Sequence, residues 1–556
     1  MQPAIQQGEL PQCPEYFNFA IDVVDKWAAQ SPSPRAMLWV DQRGKNPLCL
    51  DFAYFSRQSH RAAELLVRLG ARRGDRMIIV LQRVPAWWEI ATAAIRMGVV
   101  VCPCPVLAVA HDIRYRAQAS GATIFVGDSV SISKLKTVQR ECPNIRTILQ
   151  AAGSRLDGVL QYNVELNSNI PLKFIFEDSL PKTKWSDPSV IYFTSGTTGM
   201  PKMVLHNQVS YPLVCGWDWS LESFTGTFQN KAGQRRLGHG SQPGAAVLPF
   251  SSKRSSGHST LRKLSIISIT IPSPLSAPHP PLTANLSCPR GVSISRKPPM
   301  ALEQCVGAGE PLNDEVIRVW KEMSGIEIRD GYGQTETTLV CGNLKGAKVK
   351  YGSMGLPLPG VPLAVVDENG DESLPLQEGE IAIATTTSSG ARTLNLFSGY
   401  LSPEGKITLP QRKGNTRSWY LTGDKAYKDE DGYLWFVGRS DDVIKSSGYR
   451  IGPFEVESVL KKHPAVAESA VVASPDPQRV EVVKAFIVLQ EEFKSRNPDS
   501  LIAEIQEFCK KETAPYKYPR RIQFVEPSFL PKTISGKIKR AELRALEKEM
   551  VKEAKM

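Results

Sequence analysis

The sequence predicts an α/β fold in which a large N-terminal domain of layered α/β subdomains is followed by a small α+β C-terminal lobe. Amphipathic helix, polar turn and apolar strand recur in that order up to residue 193, which is typical of a largely parallel sheet. Ordered patterning resumes at Cys305, and after about residue 440 a shorter α+β unit closes the chain. With 556 residues, the chain is also too long for a single core.

The elements of the large domain follow from apolar periodicity. Phe17, Ile21, Val24 and Trp27 recur at helical spacing and predict the first helix. The same reasoning predicts helices over 16–29, 55–69 and near 313–323, and strands at 77–81 and 190–193.

The C-terminal lobe has its own pattern. Leu501, Ile505, Phe508 and Cys509 share one face of a predicted helix. Around this helix we expect strands at 469–474, 482–489 and 521–525 and a basic tail helix.

Residues 217–299 break the pattern. They hold about fifteen Ser, ten Pro and ten Lys or Arg against Asp218 and Glu222, and only LSIISIT at 264–270 resembles a strand. Most of the net charge of +12 lies here, so one alternative is a disordered arm for nucleic acid or a partner. Because the segment offers few aromatic side chains for base stacking, we expect no nucleic acid partner.

Composition excludes several classes of protein. The ten cysteines are scattered without a CxxC pair, so neither a zinc site nor a disulfide framework is predicted. No run of about 18 apolar residues predicts a membrane span. The first 25 residues carry Glu9, Glu15, Asp22 and Asp25 and no arginine, so no transit peptide is visible in this N-terminus.

The stretch TSGTTGMPK, residues 194–202, carries the first functional signal. Glycines permit close backbone approach, hydroxyl groups can donate hydrogen bonds, and Lys202 adds a positive charge. The alternative is a flexible linker, but the position directly after the strand at 190–193 favours phosphate binding at the carboxyl edge of a sheet.

Four further motifs follow in order. They are DGYGQTET at 330–337, YLTGD at 420–424, GRSDDVIKSSGYRIGPFE at 438–455 and LPKTISGKIKR at 530–540. Each is weak alone, since a glycine turn is usually only a turn. YLTGD places Asp424 after a short predicted strand, where a carboxylate can accept hydrogen bonds from two ribose hydroxyls.

Together these motifs resemble the signatures of the acyl-adenylate-forming superfamily. The strings SSGYRIGPFEVES, SPDP and TAPYKYPR are more narrowly similar to medium-chain acyl-CoA synthetases, and the likeness covers residues 15–211 and 301–546. The resemblance implies an adenylate-forming domain over 15–437, a hinge at 438–442, a lobe at 443–546 and a basic tail at 547–556.

The resemblance also implies a reaction in two steps, ATP-dependent formation of acyl-AMP and then transfer of the acyl group to coenzyme A. Glu336 would bind Mg²⁺, Thr335 would touch the α-phosphate, and Lys537 would bridge the acid and that phosphate. Residues 307–311 and 330–333 would border adenine, and Asp424 and Arg439 would fix the ribose. The implied ATP-binding residues are Thr194, Ser195, Gly196, Thr197, Thr198, Gly199, Met200, Pro201, Lys202, Asp330, Gly331, Tyr332, Gly333, Gln334, Thr335, Asp424, Arg439 and Lys537.

The second step would follow a swing of the lobe about Asp441. The implied coenzyme A residues are Ser447, Gly448, Tyr449, Arg450 and Arg479. Arg479 could instead be a surface residue, since Val480 replaces a glycine usual in the family. Two roles, coenzyme A contact or packing of the lobe, stay open for Tyr516, Lys517 and Tyr518.

Residues 212–300 do not align with the family, and both a diverged fold and disorder remain open for them. The family places its acyl-pocket wall there, so the alternative to an active synthetase is a catalytically impaired protein that binds ATP or coenzyme A. Luciferase-like oxygenation and amino-acid activation are further alternatives, which residues 443–455 disfavour. The expected partners are small-molecule substrates, the oligomeric state is open, and the resemblance implies the mitochondrial matrix.

Overall fold

The computed structural model describes residues 13–39, 47–167, 182–194, 200–212, 246–247, 265–268, 302–308, 312, 314–344, 346–415, 417–447, 449–532 and 538–553. The five predicted helices lie within a few residues of helical segments in the structure. A π-helical segment, Phe19–Asp25, leads into α1 (Lys26–Ala28), and the other helices are α2 (Phe52–Arg68), α3 (Pro85–Arg96), α4 (Ala110–Ser120), α5 (Ser129–Val138), α6 (Tyr162–Leu166), α7 (Asp314–Ser324), α8 (Pro453–Leu460), α9 (Pro498–Glu512) and α10 (Arg540–Glu553). Short 3₁₀ turns lie at Gln139–Glu141, Glu491–Phe493 and Pro527–Phe529.

The strands of the first half are β1 (Arg35–Trp39), β2 (Leu48–Asp51), β3 (Arg76–Val80), β4 (Val100–Pro103), β5 (Ile124–Asp128), β6 (Thr147–Ala152), β7 (Leu160–Gln161), β8 (Pro188–Thr194), β9 (Lys202–Asn207), β10 (Ala246–Val247) and β11 (Ser265–Ser268). They are followed by β12 (Leu302–Ala308), β13 (Ile328–Gln334), β14 (Thr338–Gly342), β15 (Leu356–Pro357), β16 (Leu363–Val366), β17 (Gly379–Ala384), β18 (Gly399–Leu401), β19 (Ile407–Thr408), β20 (Arg412–Lys413), β21 (Ser418–Lys428) and β22 (Leu434–Arg439). The lobe contains β23 (Ile444–Ser446), β24 (Tyr449–Ile451), β25 (Val466–Asp476), β26 (Val480–Leu489) and β27 (Arg521–Phe524).

A nine-stranded sheet forms the centre of the large domain, in the order β19-β18-β9-β8-β4-β3-β5-β6-β7 among the described residues. Its middle strands are parallel, as predicted, whereas β8–β9 and β9–β18 pair antiparallel. Met77 and Ile79 pack in the core with α2 and α3, while Ile78 and Val80 pack in the core with α4 and α5. Because β3 is covered on both faces, it is a continuous apolar run.

Two further sheets complete the part of the large domain that carries the motifs. One has the order β11-β12-β13-β14-β15, and the other joins β16, β17, β21 and β20, with β22 paired to β21. The predicted strand in LSIISIT is confirmed as β11, which pairs in parallel with β12. Strand β10, which pairs with β1, has no counterpart among the predicted elements.

The lobe is an α+β unit, as predicted. Its strands β24-β23-β26-β25, with β27 beside β26, form one sheet. Leu501, Ile505 and Cys509 on α9 are fully buried in its core, whereas Phe508 is only partly buried. Among the helices that the structure describes, none combines the length and apolar character needed to cross a membrane.

Candidate active site

Among the charged site residues whose side chains the structure describes, Asp424 is the most enclosed. It is 5% exposed, and its Oδ2 accepts hydrogen bonds from the Tyr332 hydroxyl and from Gln334 Nε2, both at 2.6 Å. Burial and the Asp424 carboxylate raise the pKa of Tyr332, so the phenol stays protonated and donates. The motifs at 330–337 and 420–424 therefore meet at one carboxylate.

The position of Asp424 within its strand differs from the prediction. The sequence predicts it after a short strand, but it lies inside the 11-residue strand β21. Gly423, at a φ of 75°, interrupts the regular backbone there, and its amide donates to Glu380 Oε1 at 3.0 Å. A kink within a continuous strand thus presents the carboxylate.

Arg439 lies beside Asp424 because β21 and β22 pair in the register Asp424 to Arg439. Its NH1 is 4.0 Å from Asp424 Oδ1, and its Nε donates to Asp441 Oδ1 at 3.3 Å. One guanidinium group therefore connects the buried carboxylate to the predicted hinge.

Asp330 is also buried, at 6% exposure, and it faces the backbone. Its Oδ2 accepts from the Leu312 amide at 3.3 Å, and its Oδ1 accepts from the Gly331 amide at 2.9 Å. Burial raises the pKa of Asp330 to about 7, although the hydrogen bonds from the Leu312 and Gly331 amides partly offset its desolvation. Asp330 thereby holds residue 312, which directly follows the segment predicted to border adenine.

The turn after Asp330 requires a glycine at position 333. A Cβ on Gly333 would lie 1.8 Å from the Thr338 carbonyl oxygen, so any other residue would displace the backbone. The turn leaves Thr338 with a φ of 57°, which is uncommon for a residue with a side chain.

Three contacts hold Thr335 and Glu336. Glu336 Oε1 accepts from the Tyr400 hydroxyl at 2.9 Å, and the Glu336 carbonyl accepts from the Phe397 amide at 2.8 Å. The ring of His206 is fully buried, with Nε2 2.6 Å from the Thr335 carbonyl oxygen. Since a carbonyl oxygen can only accept, Nε2 carries the hydrogen.

The TSGTTGMPK motif joins two adjacent strands. Strand β8 ends at Thr194 and β9 begins at Lys202, and these two residues pair across the antiparallel ladder. The motif therefore follows a strand of the large sheet, as predicted, although the strand is partly rather than fully buried. Lys202 Nζ lies 5.0 Å from the centre of the Tyr400 ring, and the Tyr115 hydroxyl donates to the Pro201 carbonyl at 2.7 Å.

The predicted coenzyme A residues of the lobe form a second, more exposed group. Arg479 NH1 donates to Ser447 Oγ at 3.0 Å, and the Ser447 amide donates to the Arg479 carbonyl at 3.2 Å. Val480 is 76% exposed at a φ of 68°. Tyr449 stacks on Tyr516 with ring centres 4.2 Å apart.

At the predicted hinge, Arg544 of α10 contacts both acidic residues. Its NH1 donates to the Asp441 carbonyl at 2.6 Å and also pairs with the Asp442 carboxylate. Nearby in the lobe, Lys517 pairs with Glu455 at 2.6 Å, a contact that fits a packing role.

Some predicted residues lie outside the described residues. They are Ser195, Gly196, Thr197, Thr198, Gly199, Gly448, Lys537 and residues 309–311, and the side chain of Arg450 is likewise not described. Of the described site residues, the contacts join Lys202, Thr335, Glu336, Asp424, Arg439 and Asp441 into one continuous group.

Two residues that contact this group, Tyr400 and His206, are not among the predicted site residues. Tyr400 lies in FSGYL, whose only signal is a glycine beside an aromatic residue, and His206 lies four residues after Lys202. Residues two or four apart on a strand share a face, and this was the available signal for His206.

The chain matches the profile of the AMP-binding enzyme family over residues 24–223 and 275–401, and that of the AMP-binding enzyme C-terminal domain over 455–537. It is 40% identical over 555 residues to acyl-coenzyme A synthetase ACSM3, mitochondrial, of Mus musculus, covering 96% of this chain and 91% of the relative. It is also 40% identical over 560 residues to acyl-coenzyme A synthetase ACSM4, mitochondrial, of Rattus norvegicus. This match covers 98% of this chain and 93% of the relative.

Among solved structures, the fold is similar to that of the anthranilate CoA ligase AuaEII in complex with anthranoyl-AMP. The TM-score is 0.73 at 25% identity, with 97% of this chain and 99% of the ligase covered. These matches confirm the predicted fold class and the resemblance drawn from the motifs. The chain belongs to the AMP-binding enzyme family.

Proposed function

We propose that the chain is an acyl-CoA synthetase that activates a medium-chain fatty acid or a related carboxylic acid. In the first step a carboxylate oxygen attacks the α-phosphorus of ATP, and the bond to pyrophosphate breaks. In the second, the sulfur of coenzyme A attacks the acyl carbon, AMP leaves and the thiol proton is released. The AMP-binding family and the 40%-identical acyl-coenzyme A synthetases support this assignment.

One observation carries the proposal: contacts connect motifs that are distant in sequence. Lys202 lies over Tyr400, Tyr400 donates to Glu336, and two residues from Glu336 Gln334 donates to Asp424. Asp424 in turn lies opposite Arg439. The contacts thus connect a cation, a carboxylate and then a carboxylate–arginine pair. We propose that these groups serve the phosphates and the ribose of a nucleotide.

The residues have separate roles in this proposal. Residues 194–202 contact the β- and γ-phosphates, with Lys202 supplying positive charge. Asp424 and Arg439 hold the ribose, and Asp330 fixes residue 312 beside the adenine segment. Lys537 approaches the α-phosphate during the first step, and Ser447, Tyr449 and Arg479 serve coenzyme A in the second.

Glu336 fits the requirements of a Mg²⁺ ligand. The described residues contain no group of three or more His, Cys, Asp or Glu side chains that could hold a metal without help. Mg²⁺ is commonly bound by one or two carboxylates together with substrate phosphates, so a single oriented Glu suits it. When bound, the ion would neutralise charge on the phosphates.

The comparisons give no support to the alternative of a catalytically impaired binder. The unmatched residues 224–274 lie between two stretches that match the AMP-binding profile, and the match to the relatives spans nearly the whole chain. The word mitochondrial in the names of these relatives supports a mitochondrial location, and within it we propose the matrix.

Release of AMP and pyrophosphate, measured across straight-chain acids from acetate to palmitate with and without coenzyme A, tests the proposal. We expect acid-dependent pyrophosphate release and AMP release that depends on coenzyme A, with the highest kcat/KM at medium chain lengths. Nucleotide binding without acid-dependent pyrophosphate exchange would instead identify a binding protein.

A further inference from the structure

Tyr400 lies between two charged groups of opposite sign. Its hydroxyl donates to Glu336 Oε1 at 2.9 Å, and its ring centre is 5.0 Å from Lys202 Nζ. A phenol can do both at once, because its hydroxyl is a donor and its ring face attracts cations. Tyr400 therefore contacts one predicted phosphate residue and the predicted metal ligand.

The backbone around Tyr400 is fixed to the same two regions. Strand β18 pairs with β9 in the register Tyr400 to Val204, next to the strand end that carries Lys202. The Phe397 amide donates to the Glu336 carbonyl at 2.8 Å, and the Ser398 amide donates to the Leu205 carbonyl at 2.7 Å. Residues 397–401 thus hold Glu336 by its main chain as well as by its side chain.

This arrangement keeps the cation and the carboxylate available for ligand. In the described part of the chain, Lys202 and Glu336 contact opposite parts of one side chain and form no ion pair with each other. A direct ion pair would partly neutralise both charges and remove them from the phosphates. The hydroxyl also occupies one oxygen of Glu336, which restricts the rotation of the carboxylate.

We propose that Tyr400 is a positioning residue that sets the Glu336 carboxylate for Mg²⁺ with its hydroxyl and holds Lys202 toward the phosphates with its ring. This inference rests on the proposed function, because Tyr400 would position two residues of the same nucleotide site. It adds a residue outside the five motifs.

The chain offers a closely matched control. The Tyr433 hydroxyl donates to the Lys348 carbonyl at 2.5 Å, and Lys350 Nζ lies 4.5 Å from the Tyr433 ring centre. Tyr433 therefore makes the same two kinds of contact as Tyr400, but it has no contact with Glu336. Tyr433→Phe removes a comparable hydrogen bond elsewhere in the large domain.

The test compares full-length parent, Tyr400→Phe and Tyr433→Phe proteins. Binding of Mn²⁺ together with a nonhydrolysable ATP analogue is measured by electron paramagnetic resonance, and acid-dependent pyrophosphate exchange is measured against Mg²⁺ concentration. Loss of one hydrogen bond to a charged group should raise the Mn²⁺ dissociation constant and the Mg²⁺ half-saturation about tenfold to hundredfold in Tyr400→Phe. Tyr433→Phe should change both less than about twofold.

A second pair of variants separates orientation from general damage. In a Glu336→Gln background, adding Tyr400→Phe should raise the Mn²⁺ dissociation constant little further, because the carboxylate that Tyr400 positions is already gone. Tyr400→Leu, which also removes the ring, should raise the KM for ATP beyond that of Tyr400→Phe.

Three outcomes would overturn the inference. They are additive losses of metal affinity when Tyr400→Phe is combined with Glu336→Gln, unchanged metal affinity in Tyr400→Phe, and an equal loss of metal affinity in Tyr433→Phe. So would a parent protein that binds no Mn²⁺ with the nucleotide. A parent that binds Mn²⁺ and nucleotide but lacks acid-dependent exchange would contradict the proposed function alone, since the binding measurement still tests Tyr400.

Discussion

On the large-domain side of the site, Asp424 is 5% exposed and accepts hydrogen bonds from two side chains, whereas on the lobe side Val480 is 76% exposed in a left-handed backbone conformation. Tyr449, also on the lobe, is 51% exposed. Hydrogen bonds among buried groups fix a geometry before a ligand arrives. The residues proposed to hold the ribose are therefore pre-organised, whereas the described residues proposed to bind coenzyme A are presented at the surface.

The largest effect is expected where the pre-organised side loses its carboxylate. Asp424→Asn keeps an oxygen for Tyr332 but removes the charge that faces Arg439 and that we propose for the ribose hydroxyls. Since hydrogen bonds to a charged group contribute about 1.5–3 kcal/mol each, kcat/KM for ATP should fall about a hundredfold to a thousandfold. Asp431→Asn, at an exposed carboxylate paired with Lys350, is the control and should change kcat/KM less than about twofold. Equal losses of kcat/KM for ATP in both variants would contradict the role of Asp424.

A pH-dependent effect is expected at Asp330. Its pKa is about 7 in the folded protein against an ordinary value of 3.8, so between these pH values the folded state binds more protons than the unfolded state. Stability from this group is therefore present below pH 4 and is lost as pH rises toward 7. Urea unfolding of Asp330→Asn should lack this loss, which amounts to about 2–4 kcal/mol. Parallel stability curves for parent and variant from pH 4 to 7 would show that the group is not perturbed.

His206 allows a smaller test of the same region. His206→Leu removes the donor to the Thr335 carbonyl and leaves a partly buried acceptor without this donor, so the KM for ATP should rise about tenfold. His206→Gln, whose Nε2 can also donate, should recover most of this loss. If the glutamine variant is as impaired as the leucine variant, the hydrogen bond is not what matters.

These expectations also indicate how far the sequence leads. Five helices and fewer than half of the described strands follow from apolar periodicity, and LSIISIT predicts β11 even within an atypical segment. The charged site residues are recognisable for a different reason, because they lie in glycine-rich motifs that resemble the signatures of the family. Tyr400 and the inward-facing role of Asp330 cannot be recognised in the sequence, because they depend on which strands become neighbours. Strand β18 pairs with β9 across about two hundred residues of sequence, and no local pattern encodes that pairing.

The smallest effect is expected on the lobe side. A β-branched residue at a φ of 68° is strained, and the left-handed conformation costs roughly 1–2 kcal/mol for a residue with a side chain. Val480→Gly should therefore raise the free energy of unfolding of the lobe by about 1 kcal/mol. Val130→Gly, at an exposed valine in α5, should lower the free energy of unfolding by a similar amount. Destabilisation by both substitutions would mean that Val480 is not strained.

Single-turnover kinetics of Asp424→Asn and Arg479→Gln, resolving acyl-AMP formation from its conversion to acyl-CoA, test the central comparison most directly. We expect that Asp424→Asn slows formation of acyl-AMP, whereas Arg479→Gln forms it at the parent rate and loses about tenfold in the coenzyme A step. Equal slowing of acyl-AMP formation in both variants would contradict the division between a preformed nucleotide region and a surface-exposed coenzyme A region.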